Sequence, residues 1–162
     1  MLIGILSDTH NEAQITRQAL DLLREREVER LIHCGDLTTP EMVALFEAWT
    51  VDFVYGNMDR QRGALLDAVN ALPHASIGET QMLRFDDQRI AVIHGHQEEQ
   101  LGNLINDNYD YVFHGHTHSR RDETIGRTRV INPGALGGTR RQTRSVCVVD
   151  LISGSVEFVT LA

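Results

Sequence analysis

The stretch Phe113-His114-Gly115-His116-Thr117-His118 puts three histidines around a single glycine. On an extended chain, the two-residue spacing of His116 and His118 turns both rings to one side. On a helix the same rings would diverge by roughly 200°. Tyr111-Val112-Phe113 ahead of them reads as a short buried strand, so the pair stands where that strand ends. Neutral imidazoles presented side by side suit a transition metal. Other apolar runs also close on groups able to coordinate: Asp8 and His10 after residues 2–6, Asp36 after 30–33, Asn57 after 52–55, and His94 after 89–93. Alone, Asp8, Asp36 or Asn57 is a turn or cap residue and His94 a core histidine. Together they are five strand ends that each finish on a ligand type.

Such groups converge only if the strands share a sheet edge. Residues 2–6 form a near-continuous apolar run, expected of a strand buried on both faces. Asn11 reads as the N-cap of a helix over 12–26, where Ile15, Ala19, Leu22 and Leu23 form a stripe of period 3.6. A second helix is expected over 41–49 with Pro40 in its first turn, a third over 62–72 and a fourth near 98–106. Residues 81–85 and 89–93 read as strands around an Asp86-Asp87 turn. After His118, residues 127–131, 145–152 and 156–161 are strand-like, with a hairpin turn at Ser153-Gly154. Asn132-Pro133-Gly134 is expected to face back toward the earlier motifs. The class is α/β with a mixed sheet. In open α/β sheets ligand sites form beyond the carboxyl ends of the strands, and Gly35, Gly56, Gly95 and Gly115 beside the candidate ligands permit the turns this requires.

The 162 residues are sufficient for one domain with its own core, and a single domain over 1–162 is expected. The net charge of -8 disfavours the broad basic footprint of a duplex nucleic-acid binder. A small anionic substrate needs only a local positive site. Cys34 and Cys147 form no CxxC pair, no apolar run approaches a membrane span, and Met1 leads directly into the first strand. A reduced cytoplasmic chain is the expectation; a homo-oligomer is left open.

In order, Asp8-Thr9-His10, Gly35-Asp36, Gly56-Asn57-Met58-Asp59, His94-Gly95 and Gly115-His116-Thr117-His118 resemble the motifs of the calcineurin-like metallophosphoesterase superfamily. Asn132-Pro133-Gly134 is similar to the loop of its small prokaryotic phosphodiesterase branch. The resemblance implies a four-layer α/β/β/α sandwich with mixed sheets and a site for two divalent metal ions. Asp8, His10 and His118 would hold the first metal and Asn57, His94 and His116 the second, with Asp36 bridging. Ligation by nitrogen and oxygen without thiolate suits manganese, the expected ion, as well as nickel, iron, cobalt or zinc. Two divalent ions against Asp8 and Asp36 leave the site cationic, which attracts a phosphate ester. The implied reaction is attack of a metal-activated hydroxide on the phosphorus of a phosphodiester.

Phosphomonoesterases of the superfamily usually carry histidine where this chain has Met58. Methionine has no proton for the leaving oxygen, and losing a general acid costs about 10²–10⁴-fold. The phosphodiesterase branch commonly lacks that histidine too. His96, two residues after His94, is the candidate to reach substrate or donate a proton, and Asp36, Asn57 and His96 form the expected catalytic set. Asn57, His96 and Arg60 are the candidate substrate contacts, with Arg62 close by, and Asp59 is a potential orienter for an acid at position 58. Cys34 reads as a packed strand residue, and His33, His74 and His114 carry no motif. The alternatives are a phosphomonoesterase or nucleotidase, a repair-type nuclease, and a catalytically weak scaffold of the same fold.

Overall fold

The computed structural model describes residues 1–162. Two sheets stack through their apolar faces. The first contains β1 (Leu2–Leu6), β2 (Arg30–His33), β3 (Val51–Val54), β4 (Ala75–Gly78), β10 (Arg144–Asp150) and β11 (Val156–Leu161), in the order β11-β10-β1-β2-β3-β4. The second contains β5 (Thr80–Phe85), β6 (Gln88–Ile93), β7 (Tyr111–Phe113), β8 (Arg121–Ile125) and β9 (Thr128–Asn132), in the order β5-β6-β7-β9-β8. Strands β1 to β4 are parallel, as are β6, β7 and β9, while β10, β11, β5 and β8 pair antiparallel at the margins.

Side-chain alternation makes the layers. Ile3, Ile5, Ile32, Cys34 and Val54 of the first sheet share one core with Ile90, Val92, Tyr111, Phe113 and Ile131 of the second. On its other face the first sheet turns Leu6, Leu31 and Phe53 to Ile15, Ala19 and Leu23 of α1 (Ala13–Glu25) and to Leu65 and Val69 of α3 (Arg62–Asn70). The second sheet turns Ala91 and Val112 to Leu101, Leu104 and Ile105 of α4 (Glu98–Asn106). The result is the expected α/β/β/α sandwich. No helix is long and apolar enough to cross a membrane.

Three local expectations need correction. The helix over 41–49 is a single turn, α2 (Pro40–Val43), followed by a 3₁₀ turn at Ala44–Phe46. Three residues per turn put Val43 and Phe46 on one face. Both are fully buried, and Phe46 meets the Phe53 ring edge to face at 5.1 Å. Asn11 is not a helix cap: it has φ 61°, and Glu12 occupies the cap position. Its side chain accepts the Thr39 hydroxyl instead, at 2.9 Å. Edge strands β4 and β8 were not anticipated. Neither contains a fully buried residue, so neither shows an apolar alternation. Asn132 faces back as expected, its Nδ2 donating to the Gly115 carbonyl at 2.9 Å and to Thr117 Oγ1 at 3.0 Å.

Candidate metal centre

The turns after β1, β2, β3, β6 and β7 bring all seven sequence-predicted ligands to one place. Ligand atoms of Asp8, His10, Asp36 and His118 lie within 4.8 Å of one another. His118 Nε2 is 3.2 Å from both Asp8 Oδ1 and His10 Nε2. Asp36 Oδ2 lies 3.5 Å from His10 Nε2 and 3.4 Å from His94 Nε2, so one carboxylate oxygen faces both halves of the cluster. His94 Nε2 is 3.0 Å from Asn57 Oδ1, and the His94 and His116 ring centroids are 5.2 Å apart.

The outward hydrogen bonds fix which nitrogens carry protons. A backbone carbonyl can only accept, so His94 donates Nδ1–H to Cys34 O at 2.7 Å and His118 donates Nδ1–H to Thr139 O at 2.5 Å. In the neutral rings each Nε2 would then carry a lone pair aimed at the carboxylates. With no metal between them the carboxylates draw a proton there instead: against the cost of its burial, Asp36 and Asp8 raise His94, and Asp8 raises His118. Asp8 Oδ1, fully buried, has no hydrogen-bond partner at all. Its other oxygen is occupied by the Ser7 hydroxyl at 2.5 Å and the His116 N–H at 3.1 Å. Lone pairs facing lone pairs around an orphaned buried oxygen repel unless a cation lies between them. The donor set therefore fits divalent metal.

The backbone carries matching strain. Asp8, His10, Asp36, His116 and His118 all have positive φ, between 42° and 68°, a region sparsely used by residues with a Cβ and concentrated at functional sites. At Gly115 the approach is too close for any side chain, since a Cβ there would lie 2.0 Å from Ser7 Oγ. Burial alone would raise the Asp8 carboxyl, yet His10, His118, His94 and Ser7 hold it well below the usual carboxylate range. Asp36 is likewise lowered, as His94 and the Met58 N–H outweigh burial.

A profile of the calcineurin-like phosphoesterase superfamily domain matches residues 1–154. The chain belongs to that superfamily. A phosphodiesterase of Methanocaldococcus jannaschii is 32% identical over 154 residues, which is 93% of each chain. YsnB, a probable metallophosphoesterase of Bacillus subtilis, is 29% identical over 160 residues, covering 93% of this chain and 85% of its own. A solved archaeal phosphodiesterase superposes with a TM-score of 0.93 at 30% identity, over 99% of this chain and 100% of that one. These relatives put the chain in the small prokaryotic phosphodiesterase branch, among hydrolases of phosphate esters. Vps29 from Entamoeba histolytica, at 22% identity and a TM-score of 0.71 over 99% of this chain and 98% of its own, shares the fold.

The remaining candidates of this superfamily member separate clearly. His96 is half-buried at the edge of the cluster, 5.6 Å from His94 and 6.2 Å from His116 by ring centroids, and its buried Nδ1 has no partner. Arg60 is exposed and its side chain makes no hydrogen bond or ion pair, whereas Arg62 stacks on Tyr55 at 4.8 Å and pairs with Glu79. Cys34 is packed between the sheets, where burial pushes its thiol far up, and serves the site through its carbonyl. His33, fully buried among Phe46 and Phe53, accepts the Gly35 N–H on Nδ1 at 3.2 Å and so offers Nε2–H to Thr9 Oγ1 at 3.3 Å. Burial drives His33 down to about 3 and His114 to about 4.

Asp59 corrects an expectation. It is buried, and both oxygens are engaged: Oδ2 accepts the Asp36 N–H at 2.9 Å and the Gly56 N–H at 2.7 Å, and Oδ1 accepts the Thr38 N–H at 2.7 Å. It ties the β2 and β3 loops together, and the one acceptor site it leaves, on buried Oδ1 beside the Thr38 N–H, is its only means of orienting an acid at position 58. Burial raises its carboxyl despite those three donors. Ser7, Thr139 and this role of Asp59 went unread in the sequence. A hydroxyl next to Asp8 was the only available hint.

Proposed function

We propose that this protein is a single-domain phosphodiesterase working with two divalent metal ions, manganese foremost, held by Asp8, His10, Asp36, Asn57, His94, His116 and His118. The observation that carries this is the convergence of His Nε2 atoms, with the Nδ1–H of His94 and His118 engaged outward, on the buried Asp8 Oδ1 and on Asp36 Oδ2. When bound, such a pair supplies a nucleophile from water near neutral pH and positive charge for the phosphoryl oxygens. Asp36 is suited to bridge, because one oxygen faces His10 and His94 together. Its position is held by the Asp59 clamp and by Met58 N–H, which donates to Oδ1 at 2.8 Å. Asn57 adds a neutral carbonyl oxygen, able to serve metal or substrate. Met58, 38% exposed, sits at the mouth with no proton to give.

Proton delivery to the leaving oxygen falls to His96, the one histidine at the rim whose ring has an unengaged nitrogen and no place in the ligand set. Arg60 is free to meet the ester's anionic oxygen. Diesters with good leaving groups suit this arrangement better than alkyl monoesters. The chain is assigned to the cytoplasm on its two free, buried cysteines. Elemental analysis, with hydrolysis of bis(p-nitrophenyl) phosphate before and after chelation, tests the proposal. Two metals per chain and chelator-sensitive turnover are expected; a saturated stoichiometry of zero would refute it and leave the scaffold alternative.

A further inference from the structure

The chain's 15 basic side chains are all arginine, against 23 acidic residues. Eight of them pair with carboxylates, from Arg24–Asp21 to Arg129–Asp122. Of those without a carboxylate partner, Arg120, Arg140 and Arg141 belong to the two loops that fix His118. The anchoring is specific. Thr139 O takes the His118 Nδ1–H at 2.5 Å, and Gln142 Oε1 accepts the Arg120 N–H at 2.8 Å, joining the loops. Gly138, at φ 65°, lies so close to the cluster that a Cβ would come within 2.8 Å of both His10 Cδ2 and His118 Cε1. Arg140 Nη1 donates to Gly138 O at 3.0 Å, which holds its guanidinium at the rim beside these rings. Arg141 is exposed and makes no side-chain hydrogen bond.

What sets Arg140 and Arg141 apart from the other arginines without a carboxylate partner is their place on the loop that fixes His118, next to the phosphoryl site. We propose that Arg140 and Arg141 form a second anion subsite on the His10–His118 flank, with Arg120 on the loop joined to theirs through Gln142. The preferred substrate is then a phosphodiester bearing a further phosphate, of which a 5′-phosphorylated dinucleotide is the shortest nucleic-acid example. This rests on the phosphodiesterase function proposed above. Guanidinium groups recognise phosphate with paired, charge-assisted donors that an isolated diester would not need.

The test uses manganese-loaded protein and a thymidine dinucleotide with a slowly hydrolysed phosphorothioate link, with and without a 5′-phosphate, titrated by calorimetry. Wild type should bind the phosphorylated form about tenfold or more tightly. R140Q/R141Q should shrink that preference to about threefold or less, while R140K/R141K retains part of it because the charge remains. An abasic version of each compound separates recognition of phosphate from recognition of a nucleotide. Equal binding of both forms by wild type, or a preference that survives R140Q/R141Q, would overturn the subsite. If R140Q/R141Q fails to fold, a preference undiminished in wild type at high salt overturns it equally, since an exposed charge pair is screened. Hydrolysis of bis(p-nitrophenyl) phosphate by wild type is scored separately. Its absence beside an intact preference would refute the phosphodiesterase function and leave the anion subsite standing.

Discussion

Asp59→Asn is nearly isosteric, so its effect reports on charge and hydrogen bonding alone. In the wild type two N–H groups converge on Oδ2 and one on Oδ1. The best placement of the amide keeps its oxygen toward Asp36 and Gly56 and turns its NH₂ against the Thr38 N–H, donor against donor. An unsatisfied buried donor costs about 1–3 kcal/mol, and two bonds weakened from charged to neutral acceptors lose about 1 kcal/mol each. The amide also escapes the burial cost that raises the Asp59 carboxyl, which offsets part of the loss. About 2–4 kcal/mol of destabilisation is expected in urea unfolding of the metal-free protein. Because the clamp holds the turns that carry Asp36 and Asn57, metal affinity should fall as well. A loss below about 0.5 kcal/mol together with unaltered metal titration would refute the clamp, since that is the range of a surface substitution.

Asp36→Asn should weaken both metals and hurt turnover more than His118→Ala, which chiefly disturbs one; full two-metal occupancy with near-native turnover in Asp36→Asn would contradict the bridge. For Met58→His, kcat/KM measured across esters graded by leaving-group pKa should show only a small gain for basic leaving groups, because Asp59 is buried and committed to three backbone N–H groups and so is poorly placed to orient the ring; a gain approaching 10²-fold would refute that. His33 has a folded-state pKa of about 3, below its unfolded value, so the stability it contributes as a neutral group is present above about pH 6.5 and lost as pH falls toward 3. The stability difference between wild type and His33→Phe should therefore shift toward the variant by up to about 1.4 kcal/mol per pH unit from pH 6 to pH 4, and a constant difference would show that His33 titrates normally.

The ligands were legible because each is a side chain of distinctive type at the end of an apolar run, and the sheets carry those ends to one place. The layers were legible for the same reason: Ile3 and Ile5 point one way, Leu2 and Leu6 the other. Other features depend on the main chain. Thr139 serves through its carbonyl and Cys34 through its own, which no side-chain pattern records. Asp59 looked like an orienter because of its neighbour Met58. Its actual partners are N–H groups of Asp36 and Thr38, more than twenty residues away, brought near only by folding. β4 and β8 were hidden because an edge strand needs only one partner and little apolar surface. Asn11 misled because the residue types that cap helices are also those that tolerate positive φ.

The order in which strands are added has a consequence for synthesis on the ribosome. All seven candidate ligands lie within the first 118 residues, yet β1, which delivers Asp8 and His10, has a neighbour on one side only until β10 arrives at residues 144–150. During that interval the oldest strand of the nascent chain, apolar in its side chains, presents an open edge of unpaired N–H and C=O groups, a template for mispairing with another chain. Metal captured early by the strand-end turns would hold β1 against β2 and across to the second sheet before its last neighbour exists. Ion supply would then govern how much of the newly made protein reaches the sandwich, apart from any influence on turnover.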